Sequence, residues 1–247
     1  MNCDTTYKIG IIGFGPKGFY GFERLAAFLH EASIFQSIEI HLFNTTRFFA
    51  AGDVYRTDQP DFLIMNYANR NINSWSLREP LPIVKNPNDF ISWLKHNDIP
   101  NAGPGDYAPR KTVGQYLIHC IESVIESLPK NIKVVTHIGS VINVDKNNGD
   151  YYVSGKYKDL GNEYNVVCQK VLFTTGHVSF KSQVNNTISL KNKIDFIYPT
   201  NENLNTIIPK SQVAIKGFGL TAIDAILALT EGRGGIFKKN DKGILKY

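Results

Sequence analysis

Three glycines near the start of the chain have the spacing of a phosphate cradle. Gly13, Gly15 and Gly18 read G-x-G-x-x-G, with Pro16 after the second. A phosphate needs such a turn because backbone N–H groups must reach it with no Cβ in the way. The helix that follows adds unpaired N–H groups and the positive end of its dipole. Residues 9–12 (IGII) form an apolar run suited to a buried strand, and Phe19, Phe22, Leu25, Ala26 and Leu29 recur at helical spacing. Strand, glycine turn and helix in this order form the dinucleotide-binding fingerprint. A tight turn with a purely structural role is the alternative.

The theme recurs near the end of the sequence. Residues 213–215 read as a strand, Gly217, Gly219 and Ala222 follow as G-x-G-x-x-A, and Ile223, Ile226, Leu227 and Leu229 mark an amphipathic helix. Two correctly flanked units argue for two nucleotide sites. Other reactive side chains are sparse. His177 follows Thr175-Gly176 at the end of the apolar run 170–174 and is the one candidate for a role beside a cofactor, the alternative being a loop hydrogen bond. His137 reads as structural. Arg110 opens a helical pattern and is either an anion or substrate contact or a surface salt bridge. No Ser-His-Asp set or metal-ligand cluster can be read from spacing. The cysteines, Cys3, Cys120 and Cys168, are odd in number and far apart, as thiols in a reducing cytoplasm are.

The elements that must position these residues follow from hydropathy. Residues 37–44 read as a second parallel strand ending at Asn44, where a dinucleotide fold carries the acid that grips ribose. Asparagine keeps the hydrogen bond, loses its charge assistance and removes repulsion against a phosphorylated ribose. Residues 47–73 lack periodicity but are aromatic-rich, with a buried-looking Phe62-Leu63-Ile64-Met65, and read as an ordered loop that covers the ligand. Residues 86–95 predict a short helix capped by Asn86 or Asn88, and 110–128 a long one. After a short apolar run at 132–135, residues 140–145, 150–158 and 163–169 predict a three-stranded antiparallel meander.

Composition bounds the function. The 247 residues suffice for one large domain or two modest ones, and a 43% hydrophobic content is that of a soluble globular chain. No apolar run approaches the roughly 20 residues of a membrane span, and the opening MNCDTTYK is unlike a secretory signal. A net charge of +5, from 27 basic and 22 acidic residues without a long basic run, predicts no nucleic-acid partner and fits a small-molecule substrate.

The chain resembles the bacterial FAD/NAD(P)-binding oxidoreductases with two dinucleotide-binding units, whose first glycine motif reads G-x-G-P-x-G. The likeness lies in GFGPKG, in GDVYRTDQPDFLIMN ending at Met65-Asn66, in VLFTTGH with Thr174 where that family has alanine, and in GFGLTAID and GRGGIF. It implies an α/β fold in which residues 1–180 form a Rossmann-like FAD-binding domain, a parallel sheet with an inserted antiparallel β-meander. A linker or excursion over 181–211 and the start of a second Rossmann-like NAD(P)-binding unit over 212–247 follow. The same resemblance implies FAD, with Gly13, Gly15, Pro16 and Gly18 around its pyrophosphate and Asn44 at the ribose. The Ser140-Val141 backbone would lie near the adenine, Thr175 and Gly176 near the flavin nucleotide, and Met65 and Asn66 on the loop approaching the flavin ring. Gly217, Gly219 and Ala222 would cradle NAD(P)H. The implied chemistry is hydride transfer from NAD(P)H to flavin and on to oxygen or another acceptor, as in a monooxygenase. Only 17 residues follow Thr230, which predicts an N-terminal part of a longer protein or a short chain completed by a partner. A non-catalytic FAD/NAD(P)-binding sensor or partner subunit is the reading from another class.

Overall fold

A computed structural model describes residues 6–159, 161–176 and 193–247. The apolar opening run forms β1 (Tyr7–Ile12), the glycine turn leads into α1 (Pro16–Glu31), and β2 (Ile38–Asn44) follows. After a long ordered loop come α2 (Phe90–His96), α3 (Arg110–Ser127), β3 (Ile132–Asn147), β4 (Asp150–Tyr157), β5 (Glu163–Cys168) and β6 (Lys170–Phe173). These six strands make one sheet in the order β5-β4-β3-β2-β1-β6. Its β3-β2-β1-β6 part is parallel, and β3, β4 and β5 are antiparallel, so the fold is the expected Rossmann-like one.

Strand alternation sorts the side chains onto two faces. Ile11, Ile40 and Leu42 face α1 and α3 and join Phe19, Phe22 and Tyr116 in the main core. Each such aromatic, once buried, contributes roughly 1.5–3 kcal/mol. Ile12 and Phe43 point the other way and pack under Val153, Tyr164 and Cys168 of the meander.

The meander is built differently from the sequence expectation. The runs at 132–135 and 140–145 are one strand: β3 pairs with β2 from Ile132 to Ile138 and with β4 from Gly139 to Asn147. The hand-over falls at Gly139, where an added Cβ would lie 2.2 Å from the Lys156 carbonyl oxygen. The cap of α2 is also corrected. Asp89, not Asn86 or Asn88, accepts from the Ser92 N–H at 2.8 Å, so the helix starts at Phe90.

Beyond β6, the short helix α4 (Thr200–Asn203) precedes α5 (Leu220–Leu229), and β7 (Lys238–Lys239) pairs with β8 (Leu245–Lys246). The strand expected at 213–215 is not formed. Residues 212–215 have no neighbouring ladder among the described residues, and Val213 and Ile215 are exposed. An extended segment without a partner leaves its own N–H and C=O groups unpaired, so hydropathy alone does not make it a strand. The described part of the expected linker, 193–211, is packed in places: Leu204 is buried with Ala225 and Ala228 of α5, alongside Ile197, Ile207 and Phe62.

Substituting Gly139→Ala forces the β3–β4 ladder apart, and we expect a loss of about 1–3 kcal/mol of stability. Lys133→Ala, at an exposed position of the same strand, should stay within about 0.5 kcal/mol. Denaturant unfolding of both variants measures the difference.

Candidate nucleotide-binding site

The first glycine turn is fixed from three sides. Gly13 and Phe14 donate their N–H groups to the Phe43 carbonyl at 3.0 and 3.2 Å, Ala50 donates to the Phe14 carbonyl at 3.0 Å, and Thr174 donates to the Ile12 carbonyl at 2.8 Å. The Thr174 hydroxyl then donates to the Gly13 carbonyl at 2.8 Å. Gly13 has φ +86°, and a Cβ there would sit 2.6 Å from Cα of Thr175. Gly18 is equally constrained, its Cβ position lying 2.8 Å from the Gly13 carbonyl oxygen. Gly15 differs: a Cβ would meet only Cα of Gly52, at 3.7 Å. A Cβ at Gly15 would therefore clash with nothing in the protein, while Gly13 and Gly18 are glycines for the sake of the fold.

Gly15 is the N-cap of α1 and Pro16 its first residue, and no side chain caps the helix. The Lys17 and Gly18 N–H groups of the first turn are thus free for an anion, and Lys17 is exposed beside them. A cavity of about 490 Å³ opens just beyond β2, beside the middle of β3 and the end of β4, lined by Thr45, Thr46, Ser140, Ile142, Lys156 and Tyr157 among others. Asn44, buried at the end of β2, donates its amide to the Thr46 carbonyl at 2.9 Å. Its side-chain oxygen is then the acceptor left for a hydroxyl. Asn44 offers a hydroxyl acceptor, the cavity has room for a base, and the uncapped start of α1 offers N–H groups to phosphate, so the residues present fit a dinucleotide.

The remaining expected residues fall as follows. Ser140 lines the cavity, whereas the Val141 side chain packs into the meander core. Thr175 and Gly176 are exposed next to the turn, the Thr175 backbone closing on Gly13. Met65 is buried in the main core and Asn66 is exposed. The 47–73 loop is ordered, with one 3-10 turn at Asn69–Asn71. Met65 donates to the Ala108 carbonyl at 2.9 Å, Arg110 N–H donates to the Leu63 carbonyl at 2.7 Å, and the Asn69 amide donates to the Asn101 and Gly103 carbonyls. Gly217 and Gly219 have no atom within 4 Å of their Cβ positions, and Ala222 is buried, so the second turn is open where the first is pinned. His177 lies outside the described residues.

Arg110 resolves into neither sequence alternative. It forms a bidentate pair with Asp224 of α5 at 2.6 and 3.1 Å, both side chains largely buried, and the Tyr198 hydroxyl donates to the same carboxylate. Sequence reasoning missed Asp224, Thr46, Lys156 and Tyr157. For Asp224 a signal existed, the one acid on a helix that is apolar apart from Thr221; the cavity residues carried none.

A polar chain lies buried on the meander face below the cavity. Tyr157 is hydrogen-bonded through its hydroxyl to Nδ1 of His137 at 3.1 Å, and Nε2 of His137 faces Nδ1 of His41 at 3.0 Å. Glu39 lies 3.4 Å from the far nitrogen of His41 and 3.2 Å from Lys8. At 3.4 Å the carboxylate makes no hydrogen bond to His41, whose buried Nε2 is left without a hydrogen-bond partner among the described residues. Phe43 stacks on the His137 ring at 4.5 Å. Burial, reinforced by His41, pushes His137 down to about 4, and burial lowers His41 as well.

Over residues 10–178 the sequence matches the model of a family described as FAD-NAD(P)-binding. A nitrosuccinic acid synthase of Aspergillus oryzae is 23% identical over 256 residues, covering 97% of this chain and 38% of that protein. An L-aspartate N-monooxygenase (nitrosuccinate-forming) of Streptomyces cremeus is 23% identical over 261 residues, covering 95% of this chain and 39% of its own length. The chain thus spans about two fifths of these relatives. Among solved structures, the ornithine hydroxylase of Pseudomonas aeruginosa in its reduced form is 17% identical, with a TM-score of 0.47 over 70% of this chain and 39% of that one.

The histidine pair makes stability depend on pH. His137 binds its proton near pH 6.5 when unfolded and only near pH 4 when folded. Its stabilising contribution is complete above about 6.5 and declines as pH falls toward 4. His137→Gln should therefore show a shallower loss of stability between pH 6.5 and 4 than the unchanged protein. Denaturant midpoints across that range measure it; equal slopes would contradict the assignment.

Proposed function

We propose that this chain, which belongs to the FAD-NAD(P)-binding family, holds FAD in its first glycine unit and is the flavin-binding part of an NAD(P)H-dependent monooxygenase. The observation that carries the reading is the turn at Gly13–Gly18. It is rigid where the fold needs it and open at Gly15, with uncapped N–H groups of α1 directed beyond it. In this reading Gly13, Gly15, Pro16 and Gly18 surround the pyrophosphate, and its charge is met by the Lys17 and Gly18 N–H groups and the helix dipole. The Asn44 side-chain oxygen accepts from a ribose hydroxyl. The adenine lies in the cavity beside Thr46 and the Ser140-Val141 backbone. Thr175 and Gly176 adjoin the flavin nucleotide, and Asn66, carried on a backbone that buried Met65 anchors, approaches the ring.

Bound flavin supplies the redox chemistry, accepting a hydride and passing electrons to oxygen. The protein's own part is to bind and orient. The second unit, with Gly217, Gly219 and Ala222, takes the nicotinamide dinucleotide. Units of about 1–180 and from 212 onward, joined by the intervening stretch, are the corresponding division. The names of the two relatives supply the substrate class, the amino group of a small acidic molecule. Buried free thiols at Cys120 and Cys168 suit a reducing compartment, and we assign the protein to the cytoplasm. No helix among the described residues is long and apolar enough to cross a membrane.

The full-length protein should purify yellow, with flavin bands that bleach on anaerobic addition of NADH or NADPH. A protein that stays colourless with added FAD contradicts the cofactor assignment. Retained flavin without bleaching favours a binding-only sensor or partner subunit. The sharper test is Gly15→Ala. Its φ of −88° suits any residue and its Cβ meets no close neighbour in the free protein, so stability should change by no more than about 0.5 kcal/mol. The methyl group occupies the ligand's approach, and FAD affinity should fall about tenfold or more, equivalent to roughly 1.4 kcal/mol. Unchanged affinity would mean that the phosphate lies elsewhere.

A further inference from the structure

Arg110 holds two parts of the molecule that the proposed reaction must keep in register. Its backbone N–H donates to the Leu63 carbonyl at 2.7 Å, and one residue earlier Pro109 bridges to Ile64. That contact, with Met65 donating to Ala108, fixes the backbone that leads to Asn66. Its guanidinium meanwhile grips both carboxylate oxygens of Asp224, a residue 114 positions away on α5. Asp224 lies one helical turn from Leu220, about 6 Å along the axis from the end of α5 that follows Gly217 and Gly219.

The surroundings reinforce the joint. Tyr198 donates to Asp224, Phe62 packs with Leu204, Ala225 and Ala228, and a Cβ on Gly232 would lie 2.7 Å from the Phe62 ring. Loop residues 62–65 are thus tied to the start of α3 on one side and to α5 on the other. A buried ion pair adds little net stability over an apolar contact, yet it tolerates only one geometry, and registry is its best-attested use. A bidentate Arg–carboxylate pair is the most directional form of such a contact.

We infer that the Arg110–Asp224 pair, with Tyr198, is a positioning joint that sets the second glycine unit against the loop proposed to face the flavin ring. The inference rests on reading the second unit as the nicotinamide-binding one. Without the joint, FAD would still bind, but the nicotinamide would no longer be held over the flavin, so the rate of flavin reduction falls while flavin content does not.

The test uses the full-length protein carrying Asp224→Asn, Arg110→Lys and the exchanged pair Arg110→Asp/Asp224→Arg. In the absence of any nicotinamide cofactor, hydrogen exchange is followed at the amides of Met65 and Arg110 and along α5. The joint predicts that either single variant speeds exchange at both places together, by about tenfold or more. Loosening of α5 alone, with Met65 and Arg110 unchanged, would overturn it and leave a local tether. Because the exchange measurement needs no cofactor, it decides the joint even if the cofactor assignment fails.

In the FAD-loaded protein, Asp224→Asn should keep its flavin content and lose at least about tenfold in the limiting rate of reduction by NAD(P)H, with the exchanged pair recovering part of that loss. An unchanged limiting rate, or a loss of flavin equal to the loss of rate, would contradict a positioning role. If the unsubstituted protein retains FAD but is not reduced, the nicotinamide assignment fails, and the exchange measurement alone decides the joint.

Discussion

Where β1 ends, the chain passes so close to the end of β6 that no side chain fits between them. A Cβ on Gly13 would reach within 2.6 Å of Thr175, and the Thr174 hydroxyl closes the gap by bonding the Gly13 carbonyl. This contact fixes the direction in which α1 leaves the sheet. It therefore fixes where the free N–H groups of Lys17 and Gly18 point. It also ties the glycine turn to Phe43 at the end of β2 and, through Phe14 and Ala50, to the loop that follows. The end of β2 that borders the cavity and the start of α1 are both tied to this one crowded crossing.

The sheet's other face solves a different problem. The meander of β3, β4 and β5 covers Ile12 and Phe43, but it also buries His41 and His137, which need partners. They find each other, with Tyr157 and Glu39 at the two ends. Tyr157 lines the cavity, so the polar chain runs from the edge of the proposed nucleotide site to Lys8 on β1. The contacts of Tyr157 and His41 with His137 link the end of β4, through β3, to β2.

Much of this was legible in the sequence wherever the signal was local. The G-x-G-x-x-G turn, its strand and its helix follow from spacing, and so do α3 and β2. The Asp89 cap was obscured by neighbouring asparagines of equal capping propensity. Residues 213–215 carry the hydropathy of a strand, yet a strand also needs a ladder, which no local pattern supplies. The union of two runs into β3 depends on Gly139 lying against Lys156, a contact made only after folding. The Arg110–Asp224 pair joins positions 114 residues apart, beyond the reach of periodicity. Thr174 was visible only as a departure from alanine, and its hydrogen bond to Gly13 gives that departure a physical reason.

In the proposed function the first glycine unit, rather than the second, holds the flavin dinucleotide. A crystal structure of the full-length protein grown with FAD tests it most directly. Binding at the first unit predicts a pyrophosphate oxygen about 3 Å from the amide nitrogen of Lys17 or Gly18, with the adenine in the cavity beside Thr46 and Tyr157. FAD phosphates bound at Gly217 and Gly219, or anywhere away from residues 13–18, would contradict it.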